Sequence, residues 1–267
     1  MAVAIIPARY DSVRLPGKAL LEIAGKPMIC HVVERALSAR NVSRVIVATD
    51  DDRIRRTVES AGYECVMTRV DHASGTDRIA EVASSLPEAS IIVNVQGDEP
   101  LISSETIERA VEEMGGEGSA IVTTWEPIES AADVLNPDVV KVIANDREEA
   151  LYFSRSPIPY PRDAVREHGS IEAALRNKPL LVSTFRKHTG LYVYRRDVLI
   201  QFTQWPQTEL ERQERLEQLR ALEHGVRIKV IKASTSSIGV DTPEDLKRVR
   251  SIVGEEFQVS GLKSQVS

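Results

Sequence analysis

Strand-like and helix-like stretches alternate along the first half of the chain, and no other feature limits the possible folds as much. AVAIIPA reads as a strand, PMICHVVERALSA as a helix, RVIVATD as a strand and DRIRRTVESAG as a helix closing at Gly62. The series continues through a short strand ECVMT, a helix from TDRIAEVASSL, the strand IIVNVQGDEP and a helix from SSETIERAVEEM that stops at GGEG. Parallel strands need a crossover, and the crossover helices cover the sheet. The order therefore predicts an α/β fold with a mostly parallel, Rossmann-like central sheet and helices on both faces. Ligands of such sheets bind beyond the carboxyl ends of the strands. The exits PARY, ATDDD, MTRVDHASG and VQGDEP are the places to look for function, and they are rich in charged and small residues.

The second half is more mixed. VVKVIAND and EALYFSRSPIPYP suggest a hairpin around Asn145-Asp146, within a smaller β-rich lobe at roughly 139–200. Residues 162–186 show no firm periodicity and suggest a loop or a short helical excursion. KHTGLYVYRRDVL returns to strand and helix, ELERQERLEQLRALEHG reads as one amphipathic helix ending at Gly225, and RIKVIKA as a last strand. GVDTPEDLKRVRSIV predicts a final helix with Thr242 as N-cap and Pro243 at the first position. With 267 residues, 42% of them hydrophobic, the chain suits one domain over residues 1–253, with a flexible tail at 254–267.

A formal net charge of −6 and the lack of a long basic run argue against nucleic acid as partner. No apolar run approaches the roughly 20 residues needed to span a bilayer, so membrane insertion is not expected. Met1 leads directly into a strand-like run rather than a signal peptide, and Cys30 and Cys65 have no zinc or CxxC spacing. A reduced, cytoplasmic setting follows.

On this acidic background, Arg9, Arg14 and Lys18 cluster around the Pro16-Gly17 turn directly after the first strand. No GxxxxGK[ST] or GxGxxG pattern is present. Such a loop is either solvated or a cradle whose cations clamp a triphosphate. Asp98 lies where a strongly apolar strand ends, and Asp241 at another strand exit. Each could simply begin a turn or helix. Brought together, they would hold Mg²⁺, a hard cation that prefers oxygen ligands. Ser74, Gly75 and Thr76 offer an N-cap or a seat for a nucleotide, with Arg78 one turn further on. His188, Gly190 and Tyr192 alternate along one strand, and Glu217 and Gln218 lie in the predicted long helix.

Taken in order, PARYDSVRLPGK, GKPMI, VATDD, TRVDHASGTDR, VNVQGDEP, NPDVVKV, YFSRSPIP, HTGLYVY, LEQLR and GVDTPEDL resemble the 3-deoxy-manno-octulosonate cytidylyltransferases, the CMP-Kdo synthetases, over roughly residues 3–253. The resemblance implies a nucleotide-diphospho-sugar transferase-like fold, a homodimer, and the reaction of CTP with the acid sugar Kdo to give CMP-Kdo and diphosphate for lipopolysaccharide assembly. By the same resemblance, Pro7, Ala8, Arg9 and Lys18 hold CTP with Ser74, Gly75, Thr76 and Asp98. Asp98 and Asp241 bind Mg²⁺. Arg78, Gln96, Arg155, His188, Tyr192, Glu217 and Gln218 form the sugar-binding set. A relative acting on sialic acid or 8-amino-Kdo, or a nucleotide sensor without turnover, are the competing readings.

Overall fold

The computed structural model describes residues 1–12, 14–116 and 118–263, with side chains to residue 254. The chain forms two compact units, Met1–Val111 with Ser234–Ser267, and Glu112–Ala233. The second is longer than the 139–200 lobe expected from sequence, because the strands that flank that lobe belong to the same unit.

The first unit opens with β1 (Ala2–Ala8), a two-residue hairpin of β2 (Glu22–Ile23) and β3 (Lys26–Pro27), and α1 (Met28–Leu37). There follow β4 (Val42–Thr49), α2 (Asp52–Ser60), β5 (Glu64–Met67), α3 (Gly75–Ser84), β6 (Ile91–Asn94) and α4 (Ser104–Met114). The four main strands pair in the order β6-β1-β4-β5, all parallel, as the alternation predicts. Central position accounts for the composition of β1: Val3, Ala4, Ile5 and Ile6 are fully buried. A strand covered on both faces reads as a continuous apolar run instead of alternating. Each buried Val or Ile side chain contributes roughly 1.5–3 kcal/mol.

In the second unit lie β7 (Ile121–Pro127), α5 (Ala131–Leu135), β8 (Lys141–Ala144), β9 (Ala150–Ser154), α6 (Arg162–His168), α7 (Ile171–Asn177) and β10 (Arg186–Arg195). The unit is completed by α8 (Arg196–Phe202), α9 (Glu209–Glu214), α10 (Gln218–Glu223) and β11 (Ile228–Lys232). Here β11 runs parallel to β7, while β10 is antiparallel to β7 and β8, and β8 to β9. The β8–β9 hairpin turns at Asn145–Glu149, where the Asn145 side chain accepts from the N–H groups of Arg147 and Glu149. Residues 162–184 form two short helices and a 3₁₀ turn, the excursion expected from their weak periodicity.

Two sequence expectations are corrected. The single amphipathic helix over residues 209–225 is broken, with Arg215 left-handed at φ 54° between α9 and α10. A left-handed residue ends a helix, and here the backbone carbonyls at the break are taken by another side chain, as described below. The last helix, α11 (Pro243–Lys263), runs beyond residue 253 because Gly254 falls inside it with no proline following. Of the tail, residues 264–267 lie outside the described residues. Its start is as predicted: the Thr242 hydroxyl accepts from the Asp245 N–H, and Asp245 reaches back to the Thr242 N–H. Val240, Leu246, Val249 and Val253 then pack on Ile23 and Met28, which returns the end of the chain to the first unit.

Close approach at one glycine shapes the site. A Cβ at Gly97 would lie 2.8 Å from the Pro7 carbonyl oxygen, a clash with backbone that no rotamer relieves. Gly97→Ala is expected to cost about 1–3 kcal/mol through backbone displacement, whereas Gly254→Ala inside α11, with nothing within 4 Å, should be neutral or slightly stabilising. Thermal unfolding of the two variants checks this; equal midpoints would show that the exits of β1 and β6 have room to spare.

Candidate active site

The first unit gathers its strand exits around the opening loop. The Gly17 N–H donates to the Tyr10 carbonyl and the Lys18 N–H to that of Leu15, closing the Pro16-Gly17 turn. Gly17 is left-handed at φ 68°, which a glycine adopts without cost. The turn delivers Lys18 into a carboxylate pair. Its Nζ donates to Asp98 Oδ2 at 2.6 Å and to Asp241 Oδ1 at 3.0 Å, while Arg14 pairs with the other oxygen of Asp241 at 3.1 Å. Lys18 is only 16% exposed and Asp98 30%. Burial works against the lysine's charge, but Asp98 and Asp241 outweigh it and hold the ammonium above its usual pKa.

Backbone hydrogen bonding brings these distant residues together. The Asp98 carbonyl accepts from the Val240 N–H at 2.9 Å, so Asp241 is necessarily next to the Asp98 segment. The Asp241 N–H in turn donates to Asp245 at the start of α11. On the other side, the Gly75 Cα lies against Pro7, where a Cβ would meet the proline ring at 3.4 Å. Pro7, Ala8, Ser74–Thr76 and Gly97–Asp98 therefore adjoin, as the sequence reading requires of a nucleotide seat. Ser74 caps α3 in a reciprocal box with Asp77. The Arg9 guanidinium donates to the His72 carbonyl at 2.5 Å and borders an open cleft of about 270 Å³ with Tyr10, Asp11, Asp50, Asp51 and Val70. Gln96 donates to Asn94 Oδ1 at 3.4 Å.

Arg78 lies inside the fold. Its side chain is 0% exposed and donates to Asp50 Oδ2 at 2.7 Å and to the Thr68 hydroxyl. One turn into α3, it faces the exits of β4 and β5 and pairs with Asp50, while its buried Nε meets no hydrogen-bond partner among the described residues. Asp50 and Thr68 were missed by sequence reasoning, although ATDDD and MTRVD had marked their strand exits.

In the second unit, His188 and Tyr192 share a face of β10, their rings 5.4 Å apart, despite a register irregularity between Thr189 and Tyr192. His188 packs edge-on to Phe153, and its Nε2 lies 2.9 Å from the Thr123 hydroxyl. Burial pushes the His188 pKa down to about 3, so the ring is neutral near pH 7 and acts by hydrogen bonding, not as a cation. Burial also raises the Tyr192 phenol well above its usual value, with Tyr194 and Glu217 adding to the effect. Glu217 thus belongs with Tyr192 and His188, and Gln218 follows it, buried, at the first position of α10. Thr123 escaped the sequence reading together with β7, whose β-branched run IVTTW was a usable strand signal.

Arg155 is engaged by backbone groups. It is half-buried, and its guanidinium donates to the carbonyls of Glu214 at 2.7 Å, Pro137 at 2.9 Å and Arg215 at 3.4 Å. The fork of a planar guanidinium suits several carbonyls at once, and here it braces loops. Among the described residues, no group of three or more His, Cys, Asp or Glu side chains forms a ready metal cage. Two carboxylates beside a cationic loop are nevertheless a suitable partial ligand set for Mg²⁺, which normally completes its shell with phosphate oxygens and water.

A family model described as cytidylyltransferase matches residues 3–228. The chain belongs to the cytidylyltransferase family. Within it, the chain is 51% identical over 249 residues to a 3-deoxy-manno-octulosonate cytidylyltransferase of Trichlorobacter lovleyi, covering 93% of this chain and 96% of the relative. It is similar to the solved structure of a CMP:2-keto-3-deoxy-manno-octonic acid synthetase complexed with CTP, at 46% identity and a TM-score of 0.84, over 96% of this chain and 99% of that one. A 4-diphosphocytidyl-2C-methyl-D-erythritol synthase from Anaerococcus prevotii shares the fold alone, at 15% identity and a TM-score of 0.59 over 95% and 96% of the two chains.

The neutral His188 makes a prediction for this cytidylyltransferase. The unfolded chain binds a proton there below about pH 6.5, but the folded one only near pH 3. Between those values the unfolded state holds more protons, so this group lowers stability as the pH falls. From pH 6.5 to 5, the melting temperature of the parent should drop more steeply than that of His188→Gln. Parallel slopes would mean that the ring protonates freely in the folded protein.

Proposed function

We propose that this chain catalyses the reaction of CTP with 3-deoxy-D-manno-octulosonate to give CMP-Kdo and diphosphate. The observation that carries the reading is the convergence of Lys18, Asp98 and Asp241, in a chain half identical to a cytidylyltransferase bearing that name. Another acid sugar, or a nucleotide sensor, finds no comparable support.

The chemistry is a displacement at the α-phosphorus. The anomeric hydroxyl oxygen forms the new P–O bond and releases its proton to water, while the bond from the α-phosphorus to the oxygen bridging to the β-phosphate breaks and diphosphate leaves with that electron pair. No covalent enzyme intermediate is needed, so catalysis consists of positioning and charge neutralisation. Two anions, the triphosphate and the acid sugar, must be held close together. In our reading Lys18 and Arg9 offset the phosphate charge, the Ser74–Thr76 segment and the Pro7-Ala8 backbone seat the nucleotide, and Gln96 serves the sugar. His188, Tyr192, Glu217 and Gln218 supply hydrogen bonds to sugar hydroxyls. Arg78 and Arg155, the other two residues of the expected sugar set, are engaged with Asp50 and with backbone carbonyls respectively.

We assign Mg²⁺ to Asp98 and Asp241, whose like charges already tolerate proximity by sharing a cation, Lys18. When bound, the ion supplies neutralisation of phosphate charge and a lower pKa for the attacking hydroxyl. We also propose a homodimer and a cytoplasmic location, in keeping with the two free cysteines. No helix among the described residues is long and apolar enough to cross a membrane.

The test is diphosphate release by the purified protein, crossing CTP, UTP, ATP and dTTP with Kdo, 8-amino-Kdo, N-acetylneuraminate and glucose 1-phosphate. Turnover should require CTP, Kdo and Mg²⁺ and should stop on chelation with EDTA. Release with a different acid sugar would move the substrate assignment, and bound CTP without release in any combination would favour a sensor. Asp98→Asn and Asp241→Asn should each lower kcat about a hundredfold or more, and Lys18→Met by a similar factor. Near-parent kcat in any of the three would remove that residue from the reacting centre.

A further inference from the structure

The break between α9 and α10 puts Glu217 and Gln218 where they are, and one side chain outside the sugar set organises that break. In a continuous helix the Glu214 carbonyl would accept from the N–H of residue 218, and the Arg215 carbonyl from that of residue 219. Instead Arg155 Nε donates to the Glu214 carbonyl at 2.7 Å and Arg155 Nη2 to the Arg215 carbonyl at 3.4 Å, while the Leu219 N–H turns to Leu216. The Glu214 carboxylate completes the clamp by accepting from the Ser154 hydroxyl at 2.6 Å and the Arg155 N–H at 2.9 Å. Thus the side chain and backbone of Glu214 both grip the end of β9.

Lys141 holds the clamp from behind. It is fully buried, and its Nζ donates to the carbonyls of Arg155 at 2.6 Å, Val139 at 2.7 Å and Asn136 at 3.1 Å. Burial draws its pKa below the usual value, and the Glu214 charge opposes that shift. The neighbouring Val140 carbonyl accepts from the His188 N–H at 2.8 Å. One hydrogen-bonded cluster therefore fixes the backbone on both sides of the candidate sugar set, at His188 and at Glu217-Gln218.

We infer that Glu214 is a positioning residue for the acid sugar, holding the left-handed break at Arg215 so that Glu217 and Gln218 are presented beside Tyr192. The inference rests on the reading of His188, Tyr192, Glu217 and Gln218 as the sugar set. A displacement of about 1 Å at such a site costs up to about a hundredfold.

Steady-state kinetics on the full chain, with KM measured separately for Kdo and CTP, tests it. Glu214→Ala should raise the KM for Kdo about tenfold or more and leave that for CTP unchanged, and Glu214→Gln, which keeps an oxygen acceptor, should recover most of the loss. Arg155→Lys keeps the charge but cannot reach all three carbonyls, and should show the same Kdo-selective signature if Glu214→Ala does not fold. Glu217→Ala is the control. If it leaves the KM for Kdo unchanged, the sugar-set reading fails and this inference with it. If it raises that KM while folded Glu214 and Arg155 variants match the parent, or shift both substrates alike, the positioning role alone is overturned.

Discussion

The ammonium of Lys18 between Asp98 and Asp241 is the contact that ties the distant segments of the first unit together. Two carboxylates at this distance repel each other, and the lysine converts that repulsion into a three-membered cluster. Its parts come from the beginning, middle and end of the first unit's sequence. Each is delivered by backbone geometry: the Pro16-Gly17 turn, the exit of β6, and the approach to α11 that the Asp98 carbonyl secures through Val240. The same cluster supplies what a nucleotidyl transfer demands, namely negative oxygens for a hard cation and a positive charge for the departing phosphates.

The two units solve different electrostatic problems. The first concentrates charge at strand exits and compensates it pairwise, with Arg78 on Asp50 and Arg14 on Asp241. In the second, the face around His188 and Tyr192 is aromatic and weakly charged. A neutral imidazole and a phenol that stays protonated discriminate by hydrogen-bond direction. That division suits a substrate pair of which one member is recognised by phosphate charge and the other by hydroxyl pattern.

Much of this was legible in the residues because strand exits and turn chemistry are local properties. The βαβ order, the Thr242 cap, the Asn145 hairpin and the cationic loop each follow from short stretches of sequence. What sequence could not reveal were the choices made by partners far along the chain. Arg78 looks like a carboxylate fork until Asp50 is seen to claim it. Arg155, placed in the sugar set by resemblance, meets three backbone carbonyls that only the fold brings to it. The helix over 209–225 has sound amphipathic periodicity, yet tertiary hydrogen bonds at Glu214 override it, since a residue's helix propensity is worth at most about 1 kcal/mol. The extent of α11 was underestimated, because the tail from residue 254 was expected to be flexible where the helix in fact runs on to Lys263.

The return of the chain at Ser234 has a consequence for biosynthesis. Asp241, its anchor at Val240 and the α11 residues that cover Ile23 and Met28 are translated last, after the whole second unit. A nascent chain on the ribosome can pair β1, β4, β5 and β6 early, yet it presents Lys18 with a single carboxylate until the final segment emerges. The second unit, being continuous in sequence, is complete before the first one is. The Lys18 cluster is therefore completed only at the end of translation, and a message truncated shortly before residue 240 would yield a chain with most of its sheet but without Asp241 beside Lys18 and Asp98.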